Sequence, residues 1–213
     1  MDVDLAQRTH WIFDMDGTLT IAAIDFAALR RALDIPPTAD IIGHIDALPP
    51  HQSAIQRRRL AELELDYAQQ AQPQPGATEL LEALRARCAR LGILTRNSVE
   101  NAEVTLKACG LRSFFDDACI LGRESAEPKP SPAGVLHLLA HWKSTPEKAV
   151  MCGDFRFDLE AGQSAGTATV YVDIDDENLW TDWANHRVET LHELRALAAT
   201  RCTAKGQWNL KQM

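Results

Sequence analysis

The 213 residues are 46% hydrophobic and 24% charged, enough apolar material for one large domain or for one domain carrying a smaller insertion. A net charge of -8 and a pI near 5.3 leave no electrostatic footprint for nucleic acid, and no run of about 18 apolar residues supplies a membrane span. Met1 to Gln7 lack the apolar core of a secretory signal, and Cys88, Cys109, Cys119, Cys152 and Cys202 show neither Cys-x-x-Cys spacing nor a disulfide framework, so a reduced, cytoplasmic protein is expected.

The first predicted element is a strand over Trp11 to Phe13, three large apolar residues in succession. It runs into Asp14-Met15-Asp16-Gly17-Thr18-Leu19-Thr20. Two carboxylates at i and i+2 share a face of a strand, and at its end both can converge on one small site. Like charges that close are unfavourable unless a cation or a shared proton relieves them, which points to a divalent metal. Gly17 permits the sharp turn that follows.

Ile21 to about Gln74 reads as a separate helical unit without strand-like alternation. Phe26, Leu29 and Leu33 recur at helical spacing behind Asp25, a candidate N-cap. Thr38 to Leu48 forms a short second helix stopped by Pro49-Pro50, and a longer helix from about Ser53 to Gln70 carries Leu60, Leu63 and Tyr67 on one face. Gln72 to Gly76 is a hinge or linker. The division expected is a core of residues 1–20 and 75–213 with a helical cap of residues 21–74 inserted into it.

Beyond Gly76, helices alternate with short apolar strands. Strands are expected at Leu91 to Thr95, Ala118 to Leu121, Ala149 to Cys152 and Ala168 to Val172. Between them lie helices led by Leu80, capped by Ser98, started at Ser131-Pro132 and ended near Gly166, and a last one spans roughly Glu189 to Ala199. This alternation predicts an α/β fold: a parallel sheet with helices on both faces and ligands at the carboxyl ends of the strands.

Four polar clusters sit at those ends: Asp14 to Thr18; Thr95-Arg96-Asn97-Ser98; Lys129-Pro130-Ser131-Pro132; and Gly153-Asp154-Phe155-Arg156-Phe157-Asp158. Together they offer carboxylates for a hard cation, a hydroxyl donor and an ammonium charge, the set a phosphoryl group needs. In this order they resemble the four motifs of the haloacid dehalogenase-like (HAD) superfamily of phosphohydrolases. The helical insertion is similar to the C1 cap of phosphoglycolate phosphatase-like and β-phosphoglucomutase-like members, although shorter than is usual there.

The resemblance implies a Rossmann-like three-layer core with a small all-α cap. It implies Asp14 as nucleophile and Asp16 as general acid and base. It implies Mg²⁺ held by the Asp14 carboxylate, the Asp16 backbone carbonyl and Asp154, with Asp158 in support. Thr95, with Arg96 and Asn97 beside it, would bind the phosphoryl group, and Lys129 would balance charge. The substrate implied is a small phosphorylated metabolite, phosphoglycolate or a sugar phosphate being the first to try. The Asp at position 16 argues against a dehalogenase, and the absence of any lysine before Lys107 argues against a Schiff-base phosphonatase. A phosphomutase or phosphotransferase shares the same half-reactions, and product analysis separates it. A catalytically inactive phospho-ligand-binding module predicts loss of Asp14, Asp16 or Lys129, and all three are present.

Arg57-Arg58-Arg59 reads as a solvated helix face, and Cys152 as a buried strand residue.

Overall fold

The structure, a computed structural model, describes residues 3–21 and 26–199, so the expected N-cap Asp25, the Phe26 side chain and the chain from residue 200 on, including Cys202, lie outside the described residues. The strands are β1 (His10–Phe13), β2 (Arg90–Leu94), β3 (Ile120–Leu121), β4 (Ala149–Gly153), β5 (Ala168–Val172) and β6 (His186–Val188). The helices are α1 (Phe26–Ala32), α2 (Ile41–Asp46), α3 (Pro50–Gln69), α4 (Ala77–Ala86), α5 (Val99–Ala108), α6 (Ala133–His141), α7 (Arg156–Ser164) and α8 (Leu191–Ala199).

The strands form one six-stranded sheet in the order β3-β2-β1-β4-β5-β6. Every pairing is parallel. Side-chain alternation along the central strands divides the interior into two layers. Trp11, Phe13, Leu91, Ile93, Val150 and Cys152 point to one face and pack with Leu80, Leu84, Leu106 and Leu194 of α4, α5 and α8. Ile12, Leu94, Ala149 and Met151 point to the other and meet Val135, Leu138 and Ala161 of α6 and α7. Helices on both faces explain why the central strands read as unbroken apolar runs. This is the α/β, Rossmann-like three-layer architecture expected of the sequence.

The helices between β1 and α4 form their own small cluster, in which Leu29, Leu33, Ile35, Ile41, Ile45 and Leu60 are buried. Leu63 and Tyr67 of α3 pack against it on the expected face. The chain enters and leaves this unit along paired backbone: Ile21 N–H donates to the Gln72 carbonyl at 2.9 Å, and Gln74 N–H to the Leu19 carbonyl at 2.9 Å.

Three details differ from the sequence reading. α3 begins at Pro50 rather than near Ser53, because a proline lacking its N–H is well placed in the first helical turn. β3 is reduced to Ile120 and Leu121, since Asp117–Cys119 form a 3-10 turn and pairing starts only where Ile120 meets Ile93. β6 was not expected at all. His186-Arg187-Val188 is short, polar and at the sheet edge, and only its pairing with Val170 to Val172 defines it.

Candidate active site

The chain passes from β1 outward through β2 to β3, then returns to lay β4, β5 and β6 on the other side, so the order reverses between β1 and β4. A crevice at the carboxyl ends of the strands is expected there. Asp14 directly follows β1 and is fixed by its own N–H, which donates to the Cys152 carbonyl at 2.8 Å. Thr95 directly follows β2, its N–H bonded to Leu121 O at 3.0 Å. Asp154 directly follows β4, and Lys129 comes from the loop between β3 and α6. A single cavity of ≈ 470 Å³ is lined by Asp14, Asp16, Thr95, Arg96, Asn97, Lys129, Asp154 and Asp158. The fold therefore brings together the eight residues that the resemblance placed at the site.

The turn after β1 is built by the Met15 carbonyl, which accepts from the N–H groups of Leu19 and Thr20, both at 3.0 Å, and from Thr20 Oγ1 at 3.2 Å. Gly17 has φ of 91°, and a Cβ there would lie 2.4 Å from Asp154 Oδ2. Position 17 is thus restricted to glycine both by its backbone and by the carboxylate pressed against it. Thr18, fully buried, donates from Oγ1 to Asp154 Oδ1 at 3.0 Å and aims that carboxylate. Nothing in the local sequence points to this role for Thr18, whose partner lies 136 residues away.

Lys129 is 4% exposed and its ammonium bridges two carboxylates, Asp14 and, at 2.6 Å, Asp158. Asp158 also accepts the N–H of Phe155 at 3.0 Å, capping the start of α7. Asp158 thus stabilises a helix end and belongs to the acidic cluster at once. One oxygen from each of Asp14, Asp154 and Asp158 lies within 4.8 Å of the others.

Burial pushes the Asp14 carboxyl up to about 7, opposed by Lys129 and reinforced by the charges of Asp154 and Asp16. Burial and the neighbouring Asp158 raise Asp154 to about 6, and burial raises Asp158 to about 6 against the pull of Lys129. Lys129 is held above the ordinary lysine range: burial disfavours its charge, but Asp14 and Asp158 outweigh that. The ammonium is therefore fixed as a cation shared by Asp14 and Asp158, with the Asp154 carboxylate beside them. The cluster carries an excess of negative charge that a hard divalent cation with oxygen ligands relieves, and the donor set fits Mg²⁺.

Asp16 is half-buried and its carboxyl is raised by burial, although a hydrogen bond from Asn97 works the other way. Asn97 also organises its own loop: its N–H donates to Thr95 Oγ1 at 3.0 Å and its Oδ1 accepts from Ser98 N–H at 2.9 Å. Ser98 caps α5 as expected, accepting from Asn101 N–H at 3.1 Å. Arg96 is exposed, with its guanidinium 5.4 Å from the Phe157 ring centre.

From the helical side, Glu64 of α3 reaches across. Its carboxylate meets the Arg123 guanidinium through two contacts of 3.3 Å and accepts from Asn101 Nδ2 at 3.3 Å. Neither Glu64 nor Arg123 was singled out from the sequence, since nothing local relates residues in a helix and in a distant loop. Arg57, Arg58 and Arg59 are exposed and engaged with Asp46, Glu62 and the Ala32 carbonyl, in keeping with a solvated face. Cys152 is fully buried, and burial raises its thiol well above the ordinary range.

A family profile for haloacid dehalogenase-like hydrolases matches residues 10–166. A haloacid dehalogenase-like hydrolase domain-containing protein of Arabidopsis thaliana is 32% identical over 174 residues, covering 76% of this chain and 69% of its own. A phosphoglycolate phosphatase of Aquifex aeolicus is 32% identical over 178 residues, covering 74% and 81%. A crystal structure described as a predicted phosphoglycolate phosphatase from Haemophilus somnus shares the fold, with a TM-score of 0.74 at 19% identity over 90% of this chain and 98% of that one. With the profile spanning most of the chain and the site intact at the switch point of the sheet, the protein belongs to the haloacid dehalogenase-like hydrolase family.

Proposed function

We propose that this phosphatase hydrolyses a small phosphorylated metabolite through an aspartyl-phosphate on Asp14, with Mg²⁺ as cofactor. The observation that carries the reading is the buried Asp14–Lys129–Asp158 chain with Asp154 beside it. Asp14, Asp154 and the Asp16 backbone carbonyl would hold the ion, with Asp158 in support. When bound, Mg²⁺ neutralises charge on the phosphoryl oxygens and keeps Asp14 ionised.

Asp14, held by Lys129 and by its N–H bond to Cys152, attacks phosphorus, and the bond from phosphorus to the ester oxygen breaks. Asp16, whose carboxyl is raised by burial, protonates the departing alcohol. In the second half-reaction Asp16 takes a proton from water, the water oxygen bonds to phosphorus, and Asp14 is released with free phosphate. Thr95 accepts from Asn97 N–H, so its hydroxyl hydrogen remains to donate to a phosphoryl oxygen. Residues 21–74 act as a cap that encloses the substrate and excludes water, with the paired segments at Ile21 and Gln72 as its hinges. Free thiols at Cys88, Cys109, Cys119 and Cys152 suit a reducing cytoplasm.

The test is phosphate release from a panel of phosphorylated metabolites, phosphoglycolate and sugar phosphates first, with Mg²⁺ and with excess chelator. Activity is expected only with Mg²⁺, and Asp14→Asn is expected to lower kcat by at least about 10⁴-fold while the fold survives. Turnover persisting in that variant, or in chelator, overturns the mechanism.

A further inference from the structure

Above Asp14 the cavity of ≈ 470 Å³ holds about 15 water volumes at ~30 Å³ each. That is room for a whole small-molecule ligand, and a phosphoryl group with its ester oxygen fills a minor part of it. What bounds the remainder is apolar on two sides. On the core side stand Phe155 and Phe157, in the turn that carries Asp154 and Asp158. Their rings meet edge to face at 5.1 Å and 83°, and Phe155 rests against Trp180 at 5.5 Å and 68°. Arg96, next to the phosphate-site Thr95, lies over the Phe157 ring. On the helical side Leu29, Ile41, Ile42 and Leu60 face the same space.

The polar groups of the upper cavity are engaged with the protein. Arg123 meets Glu64, Arg30 Nε donates to the Ala39 carbonyl at 3.0 Å, and Asp40 caps α2 by accepting from Gly43 N–H at 2.6 Å. By contrast Phe155 is 47% exposed and Ile42 38% exposed, although both line a cavity whose floor is catalytic. Large apolar side chains left open at a cavity mark a surface that a ligand covers. Buttressed edge-on by two other rings, Phe155 presents a preformed aromatic surface.

We infer that the substrate is a phosphomonoester whose alcohol carries a ring with an apolar face, Phe155 and Phe157 being the residues that select it over two- or three-carbon acids. This rests on the phosphatase reading above and specifies its substrate class. The ring lies between the aromatic pair and the aliphatic side chains of α1–α3, while the phosphoryl group reaches Asp14.

The test uses the full chain with Mg²⁺ and three substrates: 2-phenylethyl phosphate, ethyl phosphate and phosphoglycolate. The first two release alcohols of similar acidity, so a difference between them reports binding of the ring. The kcat/KM for 2-phenylethyl phosphate is expected to exceed that for the other two by about tenfold, chiefly through KM. Phe155→Ala is expected to remove most of that preference and Phe155→Leu part of it. Equal kcat/KM for the phenylethyl and ethyl esters, or a preference unchanged in Phe155→Ala, overturns this inference alone. Phosphate released from phosphoglycolate but not from 2-phenylethyl phosphate overturns this inference and leaves the phosphatase reading standing, whereas turnover of any of the three that persists in Asp14→Asn or in excess chelator overturns the mechanism and this inference with it.

Discussion

At the carboxyl ends of β1 and β4, Asp14, Asp154 and Asp158 are each pinned by a side chain from another part of the chain: Lys129, Thr18 and Lys129 again. Across the cavity, α1–α3 hold together through one small apolar cluster and reach the core through Glu64, in contact with Arg123 and Asn101. In the first region Asp14, Lys129 and Asp158 are buried among partners that would be costly to separate. The second meets the core through α3 packed on α5, the paired backbone at Ile21 and Gln74, and a partly exposed ion pair of a kind contributing about 0.2–1 kcal/mol. On the proposed function, chemistry and enclosure fall to parts of the molecule with different tolerance for movement. A catalytic constellation must hold its geometry, whereas a cap must admit substrate and release product.

The sharpest way to break the rigid side is Lys129→Met. It removes the cation shared by Asp14 and Asp158, and kcat is expected to fall by about 10²–10³-fold. A loss below tenfold would mean that the ammonium is not needed to balance the nucleophile.

Next is Thr18→Val, which keeps the shape of a fully buried side chain and deletes its hydrogen bond to Asp154. The Mg²⁺ concentration for half-maximal activity is expected to rise about 10–100-fold with saturated kcat much less affected. An unchanged Mg²⁺ requirement would show that Asp154 does not depend on Thr18 for its aim.

The metal-free protein tests the charge excess directly. Asp154 and Asp158 are raised to about 6 and Asp14 to about 7, whereas in the unfolded chain such groups titrate near ~4. Between about pH 5 and about pH 7 the folded state therefore binds more protons than the unfolded state, and stability falls as pH rises through that window. His10, held below the ordinary imidazole range chiefly by burial, opposes this within the window as one group against three, while Glu103 and Asp173, both lowered by arginine partners, lose their contribution only as pH falls below the ordinary carboxylate range. In chelator, Tm is expected to decline from pH 5 to 7, less steeply in Asp14→Asn, and Mg²⁺ is expected to restore it most at the upper end. A Tm that climbs across this window in chelator would contradict the arrangement.

The smallest effect belongs to the tie across the cavity. Glu64→Gln and Arg123→Gln are each expected to raise KM by about threefold, and the double variant by no more than either single change. Additive effects would show that the two residues act independently and that their contact does not hold the helices over the site.

The core strands were legible because burial on both faces leaves a local imprint: Trp11 to Phe13 and Ala149 to Cys152 are unbroken apolar runs. Asp14, Asp154 and Thr95 could be placed because each lies at the carboxyl end of such a run. The Ser98 cap and the apolar face of Leu60, Leu63 and Tyr67 were legible for the same reason, periodicity and capping being properties of neighbours in sequence. β6 was not, since a three-residue polar edge strand is defined by its partner alone. The buttressing of Phe155 by Trp180 and the crossing of Glu64 to Arg123 left no trace either.

By itself, then, the sequence determined the order of elements, the α/β class and the residue types that gather at the strand ends, because hydrophobic periodicity and turn chemistry act over a few residues. Only the tertiary structure decided which of those residues pair with one another. Lys129 and Asp14 are 115 positions apart, and Thr18 and Asp154 136, and which carboxylate takes which partner depends on strands paired through the middle of the sheet. The shape and apolar lining of the cavity were decided in the same way, since its two walls come from segments that meet only when the chain has folded.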